Sequence, residues 1–378
     1  MNFRIRIILA RLSLLTTLSL ILFSAHAETI EVGLGHGFSR IQDAIDAASP
    51  GDIISVGNGT YFESINVTKQ LILEGINNPV VDARENDSAI MITANGTILQ
   101  GFSAINSSDT GIEVSSHNNI IRGNVASQNG YAGIGLKASH DNIVSENALL
   151  QNGVFGIVLL SGSSKNCIKG NIQNENGDAG IELDGSDSNE ISDNVAQDNG
   201  NDGIELVGSQ RNTITRNTVV RNKDGICLED NSMNNIIIAN NILNNYFDGI
   251  LLKNSEFNPI FGNELSKNLL AVFFESSSKN LIANNNIHDN MDAIHLNYYC
   301  RDNVVYNNNL VDSKNYNAYD ESGANLWNIG AVGNHYSDFD NSKEGCTDTD
   351  GNGVCDAVNA IPGGTSTDNY PMLEWHAP

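Results

Sequence analysis

Apolar and polar positions through the middle of the chain follow a pattern that keeps returning. The motif Asn-x-(Ile/Val)-x-x-Asn occurs nine times, its first Asn at positions 119, 142, 166, 189, 212, 235, 258, 280 and 303. The spacing is 22 to 24 residues, and the second Asn always follows five residues on, from Asn124 to Asn308. Between them stands a β-branched residue, from Ile121 to Val305. A third Asn comes ten residues after the first in eight of the nine copies, with Ser313 in the last. A Gly-Ile-x-Leu segment then closes the first eight copies, from Gly133-Ile134 to Gly249-Ile250, relaxing to Ala271-Val272 and Ala293-Ile294.

A period of this length is a repeat architecture. Each copy holds short β-branched strands broken by Asn and Gly, with no run suited to a helix. That excludes strand–helix–strand units, which need about 30 residues, and argues against a leucine-rich horseshoe. The pattern predicts an all-β, right-handed parallel β-helix of about 23 residues per coil, with equivalent residues stacked about 4.8 Å apart. Asn and Gly are expected to take the left-handed corners, and stacked Asn to form an amide ladder.

Around this core, residues 28–118 read as an amino-terminal cap and first coils. Ser39-Arg40-Ile41-Gln42 reads as a capping box before a short helix with Ile41, Ala44, Ile45 and Ala48 on one face. Such a helix would cover the open end of the solenoid. Residues 119–325 are the regular repeats, and 326–378 an irregular carboxy-terminal cap. Residues 1–27 read as an export signal: Arg4, Arg6 and Arg11, an apolar stretch from Leu12 to Phe23, then Ala25-His26-Ala27. The protein is therefore expected in the periplasm, at the cell surface or secreted, with no membrane span in the mature chain.

Removing that signal leaves 17 Lys and Arg against 45 Asp and Glu, a balance of −28. Such a charge excludes nucleic acid as a partner and disfavours polyanionic glycans unless metal ions bridge.

The segment Ser39–Val56 resembles the opening of pectin-lyase-like β-helices, and the Asn-rich coils resemble the repeats of carbohydrate-binding and sugar-hydrolase (CASH) domains. The end of the chain, Gly333–Phe339 followed by Asp348–Asp356, is similar to that of NosD-type proteins, with Tyr336 where that family usually carries Trp. The resemblance covers nearly all of the mature chain. It implies a periplasmic or surface β-helix, and for some members copper handling in nitrous oxide reductase maturation.

Four sets of residues carry candidate chemistry. Asp348, Asp350, Asn352, Val354 (through its carbonyl) and Asp356 have calcium-loop spacing. Position 12 is Asn359 rather than Glu, so Asp340, Glu344 or Asp368 would have to complete the shell. Calcium there would be structural. Cys346 and Cys355 flank this loop, and a disulfide between them suits an exported protein. Cys167, Cys227 and Cys300 sit singly in separate coils. His117 and His140, 23 residues apart in one register, could share copper. His288 and His295 are weaker candidates, and Met233 and Met291 are isolated.

Last, Asp202, Asp224 and Asp248 precede the Gly of three consecutive coils, and Glu182 and Glu205 lie on the following strand, near Asp178 and Asp184. Stacked carboxylates can raise one another's pKa for acid–base work. The plainer expectation is a solvated acidic wall, without a row of aromatic sugar platforms because Trp327 and Trp375 both fall late. Function is expected to be that of a binding or structural module directed to carbohydrate or other cell-envelope components. The alternatives are a copper-handling maturation factor, and a polysaccharide lyase, epimerase or hydrolase.

Overall fold

The computed structural model describes residues 27–375. The expected export signal, Ala27 apart, lies outside them. Three long parallel sheets of 13, 13 and 12 strands wind as one solenoid. In sheet one the β-branched motif residues stack in register: Ile121 on Val144, Val144 on Ile168, Ile168 on Ile191. Sheet two follows the second Asn, and sheet three carries the Gly-Ile-x-Leu strands, with Ile181 opposite Ile204 and Ile204 opposite Ile226. All these Ile and Val side chains point inward and are buried in one continuous core. Among the described residues no helix is long and apolar enough to cross a membrane.

The three Asn rows line the inside of the corners, fully shielded from solvent. Asn147 shows the unit. Its backbone N–H and its Nδ2 both donate to Asn171 Oδ1 in the next coil, at 3.0 and 2.9 Å, while Nδ2 also donates to the Ile121 carbonyl of the coil before at 2.9 Å. Every Asn-to-Asn bond of the ladder therefore runs toward the carboxy-terminal end.

The left-handed backbone position is not the Asn, as expected, but the residue before it. In all three rows this residue has φ between about 53° and 65°, and it is often bulky: Lys165, Arg211, Arg216, Phe257. Such a conformation costs about 1 kcal/mol for a residue with a Cβ. The Asn that follows offsets it with several buried hydrogen bonds, each worth about 1 kcal/mol. The Gly row is steric instead. A Cβ on Gly180 would stand 2.7 Å from the Gly203 carbonyl and 2.9 Å from Asn199 Nδ2.

The cap helix spans Ile41–Ala47, with Ile41, Ala44 and Ile45 buried. Its first turn is not closed by a capping box. Arg40 occupies the cap position, and its side chain makes no capping bond. Instead the Glu63 carboxylate accepts the N–H groups of Ile41 and Gln42, at 2.8 and 3.2 Å, and Lys69 Nζ donates to the carbonyls of Ile45, Asp46 and Ala48. A long-range charge on each end wins over the local motif because helix termini favour it electrostatically.

At the other end, Cys346 and Cys355 are joined by a disulfide with Cα atoms 4.9 Å apart. Trp327 and Tyr336 are fully buried beneath the cap.

Candidate functional site

The outer side of sheet three departs from a uniform solenoid surface. One outward row runs through Gly135, Val158, Glu182, Glu205, Cys227, Leu251, Phe273, His295 and Tyr319, each a Cα partner of the next. Beside it runs a second row that includes Phe155, Asp202, Asp224, Asp248, Leu270, Asp292 and Tyr316. The carboxyls of Glu182, Glu205, Asp202, Asp224 and Asp248 thus fall between two apolar stretches.

Local backbone geometry places Asp202 here. A Cβ on Gly203 would meet Asn222 Nδ2 at 2.9 Å and the Gly225 carbonyl at 2.7 Å, so this residue and the core residue Ile204 both turn inward. Asp202 and Glu205, three apart, consequently share the outer side.

The acidic stripe is not the solvated wall expected. Asp202, Asp224 and Asp248 are buried, with 2, 5 and 8% exposure, and Glu182 and Glu205 are half-buried. Burial, reinforced by Glu205 and Asp178, pushes the Glu182 carboxyl up to about 8. Burial, with Glu205 and Asp224 nearby, pushes Asp202 up to about 8 against the opposing pull of Lys223. Burial and Glu229 push Glu205 up to about 7, and burial with Asp224 does the same for Asp248. Lys223 Nζ lies 3.6 Å from Asp224 Oδ2 and donates to Asn201 Oδ1 at 2.9 Å. Arg216 and Arg221 pair with Asp193 and Asp198 on another part of the coil.

A row of aromatic platforms also exists, contrary to the expectation drawn from Trp alone. The ring of His295 lies 5.3 Å from Phe273 and 4.8 Å from Tyr319, and Tyr319 lies 4.8 Å from Tyr316. At the other end Tyr131 meets Phe155 edge-on at 5.4 Å. Next to it a cavity of about 120 Å³ is lined by Asp109, Glu113, Tyr131, Val158 and Leu160.

Cys227 is the member that the sequence reading missed. It stands two residues after Gly225, as Glu182 and Glu205 stand after Gly180 and Gly203, and that shared offset was the available signal. Asp202, Glu205 and Cys227 bring ligand atoms within 4.8 Å of one another.

The other candidates are separate. His117 and His140 stack on adjacent coils, centroids 4.9 Å apart and planes 13° from parallel. His117 Nδ1 accepts the His140 N–H at 3.0 Å, and His140 Nδ1 accepts the Ser164 N–H at 3.2 Å. With Nδ1 of each ring accepting a backbone N–H, the neutral rings carry their proton on Nε2 and neither turns a free lone pair toward a shared ion. His288 bridges Glu264 and Asp289 on sheet two.

In the loop, Asp348 turns its carboxylate onto the N–H groups of Gly353, Gly351 and Asn352, which hold it below the usual carboxylate range. Asn352 Oδ1 accepts the Val354 N–H, and Asp356 Oδ2 the Thr349 N–H. Asp350 bonds Asn352. Asp368 cannot complete this shell, because it is buried and already accepts from Asn334 and Tyr336.

A family model described as "Periplasmic copper-binding protein (NosD)" matches residues 47–248 and 199–341. A cell surface glycoprotein of Methanothermus fervidus is 35% identical over 92 residues, 24% of this chain and 16% of that protein, so the chain spans only a small part of that relative. Among solved structures, the DFA-IIIase of Arthrobacter chlorophenolicus aligns at a TM-score of 0.60 and 12% identity, over 79% of this chain and 97% of its own. An alginate lyase from Paenibacillus aligns at 0.54 and 16%, over 62% and 94%. The A-module of the Azotobacter vinelandii mannuronan C-5 epimerase aligns at 0.54 and 16%, over 75% and 87%. At these identities the likeness is one of fold.

Copper, which the family description names, fits the clustered donors poorly. Cu(I) seeks several soft donors, and Cu(II) is well served by imidazole. The one group of three potential ligands found among the described residues has two carboxyls, one thiol and no imidazole.

Proposed function

The chain belongs to the NosD family, and from that footing we propose that it is an exported β-helix protein that binds carbohydrate along the outer side of sheet three. The observation that carries this reading is the unbroken outer row in which Glu182 and Glu205 lie between Val158 and the Phe273–His295–Tyr319 stack. From Gly135 to Tyr319 it covers eight strand spacings, roughly 40 Å, enough to seat an extended chain. Aromatic side chains offer apolar area with polar edges. A protonated carboxyl donates as well as accepts a hydrogen bond, as sugar hydroxyls require. An alginate lyase and a mannuronan C-5 epimerase share the fold, which agrees with a saccharide ligand.

The test is affinity electrophoresis of the purified chain through gels cast with alginate, pectin, β-glucan or inulin. Retardation by at least one glycan, weakened several-fold by Phe273→Ala, supports the reading. Unchanged mobility in all four gels overturns it.

A processing role would use the same groups. Glu182 and Glu205 sit one strand spacing apart, near the about 5–5.5 Å at which paired carboxyls act on glycosidic bonds. Glu182, kept protonated by burial, would serve as the acid. Turnover of a retained glycan, abolished by Glu182→Gln or Glu205→Gln, would establish it.

Calcium in the 348–356 loop is part of the same proposal, as a fastening for the cap. Its support is the lowered pKa of Asp348 and the sequence spacing of Asp348, Asp350, Asn352 and Asp356. A melting temperature raised by calcium and lowered by EDTA tests it.

A further inference from the structure

We infer that Asp202, Glu205 and Cys227 form a mononuclear site for a borderline divalent cation of the zinc class. It lies on the outer side of sheet three, but it rests on side-chain geometry alone, so it and the glycan reading can fail separately.

Three observations converge. Ligand atoms of the three residues lie within 4.8 Å of one another, two on one strand and Cys227 directly opposite Glu205 on the next. Drawing them to bonds of about 2.0–2.3 Å needs only a side-chain adjustment, easiest for the half-exposed Glu205. Second, Asp202 is 2% exposed, yet its Oδ1 has no hydrogen-bond partner among the described residues, and its Oδ2 accepts only from Asn201 Nδ2 at 3.2 Å. A buried carboxyl oxygen left without a donor is costly, and buried charges are normally paired or metal-bound. A cation supplies what the protein does not. Third, Cys227 is buried, is not in a disulfide, and brings its Sγ within 4.8 Å of a carboxylate oxygen of Asp202.

The donor set decides the class of ion. One thiolate with two carboxylates is too soft for calcium or magnesium. It offers too few soft donors for Cu(I), and it suits zinc, which accepts sulfur and oxygen together. Three protein ligands leave a fourth position open on the Glu205 side, where solvent or another ligand can enter. Asp224 and Glu229 also face the cluster, with Lys223 as the opposing charge.

Binding must displace whatever protons these groups carry, so zinc affinity should rise steeply with pH and binding should release protons to buffer.

The test uses the reduced, EDTA-treated and desalted chain, titrated with Co²⁺ by absorbance and with Zn²⁺ by calorimetry. The expected result is one equivalent of each ion, a thiolate-to-cobalt charge-transfer band, and its loss on adding zinc. Cys227→Ser should remove the band. Asp202→Asn and Glu205→Gln should each weaken zinc at least about tenfold. Cys167→Ser, Cys300→Ser and His117→Ala should leave both readouts unchanged. No cobalt band in the wild-type chain, or a band that survives Cys227→Ser, overturns the site. Should Cys227→Ser fail to fold, alkylation of the wild-type chain read by mass spectrometry decides: zinc must slow modification at Cys227, and equal rates with and without zinc refute the proposal.

Discussion

Asp368 Oδ2 accepts both the backbone N–H and the side-chain Nδ2 of Asn334, at 2.7 and 3.3 Å. That contact ends the second Asn row. Asn308 donates twice to Asn334, and the Asn-to-Asn bonds of the row, all running one way, need a final acceptor with nothing to donate. A carboxylate meets this need, and Tyr336 adds its hydroxyl at 3.0 Å. Asp320 plays the same part for the first row, taking Asn325 Nδ2 at 3.0 Å along with the Trp327 indole and the Ser366 hydroxyl.

Removing this terminus should therefore loosen the cap first. Asn334 Nδ2 keeps the Val305 and Trp327 carbonyls at 3.0 and 2.8 Å, but Asp368→Ala strands the Asn334 N–H and the Tyr336 hydroxyl in a dry interior, at a cost of about 3 kcal/mol. Hydrogen exchange should show lost protection in the strands around 304–336 while the central coils hold. Wild-type protection there in the variant would contradict the capping role.

The corner conformation predicts opposite effects at one exposed site. Ala239 precedes Asn240 with φ 55°. Ala239→Gly should be neutral or stabilising by up to about 1 kcal/mol, since relief of left-handed strain outweighs glycine's entropy cost. Ala239→Val should lose about 1 kcal/mol or more, because a branched side chain tolerates that region worst. Urea unfolding checks both, and equal losses would contradict the account.

Gln173 occupies a core position between Leu149 and Ala196, and neither end of its buried amide has a hydrogen-bond partner among the described residues. Gln173→Leu should raise stability by about 1–3 kcal/mol, the cost of leaving such a group unpaired. A lower unfolding midpoint would contradict it.

Stability should fall as pH rises. Asp202, at about 8 in the folded chain, keeps its proton in a range where the unfolded chain, near 4, has lost it. Between those values the folded state binds the extra proton, so raising the pH favours unfolding by about 1.4 kcal/mol per unit for such a group, until the folded value is reached. Glu182, Glu205 and Asp248 act in the same direction. Melting in EDTA should thus be clearly lower at pH 8.5 than at pH 5.5, and Asp202→Asn should flatten the difference. A chain more stable at pH 8.5 would contradict buried protonated carboxyls.

The coil was legible because period and chemistry agree: every β-branched motif residue is buried, and every Asn row continues without a break. What escaped the sequence reading depends on distance. Glu63, 22 residues from Ile41, closes the cap helix in place of the adjacent Ser39. The left-handed position falls on whichever residue precedes the Asn, so composition does not mark it. Glu182, Glu205 and the three Asp were readable as a stripe, yet their burial was not, since strand alternation alone places them in water. Phe273, His295 and Tyr319 are spaced a coil apart, and their stacking emerges only once the coils are laid in register.

What separates a binding site from a charged surface here is that Glu182 and Asp202 stay largely protonated around pH 7. Carboxyl ¹³C shifts of Asp- and Glu-labelled chain, followed from pH 3 to 10 with Glu182→Gln and Asp202→Asn for assignment, measure this directly. Titration of both groups with midpoints near 8 is the result predicted. Midpoints near 4 for both, the ordinary carboxyl range, would contradict it.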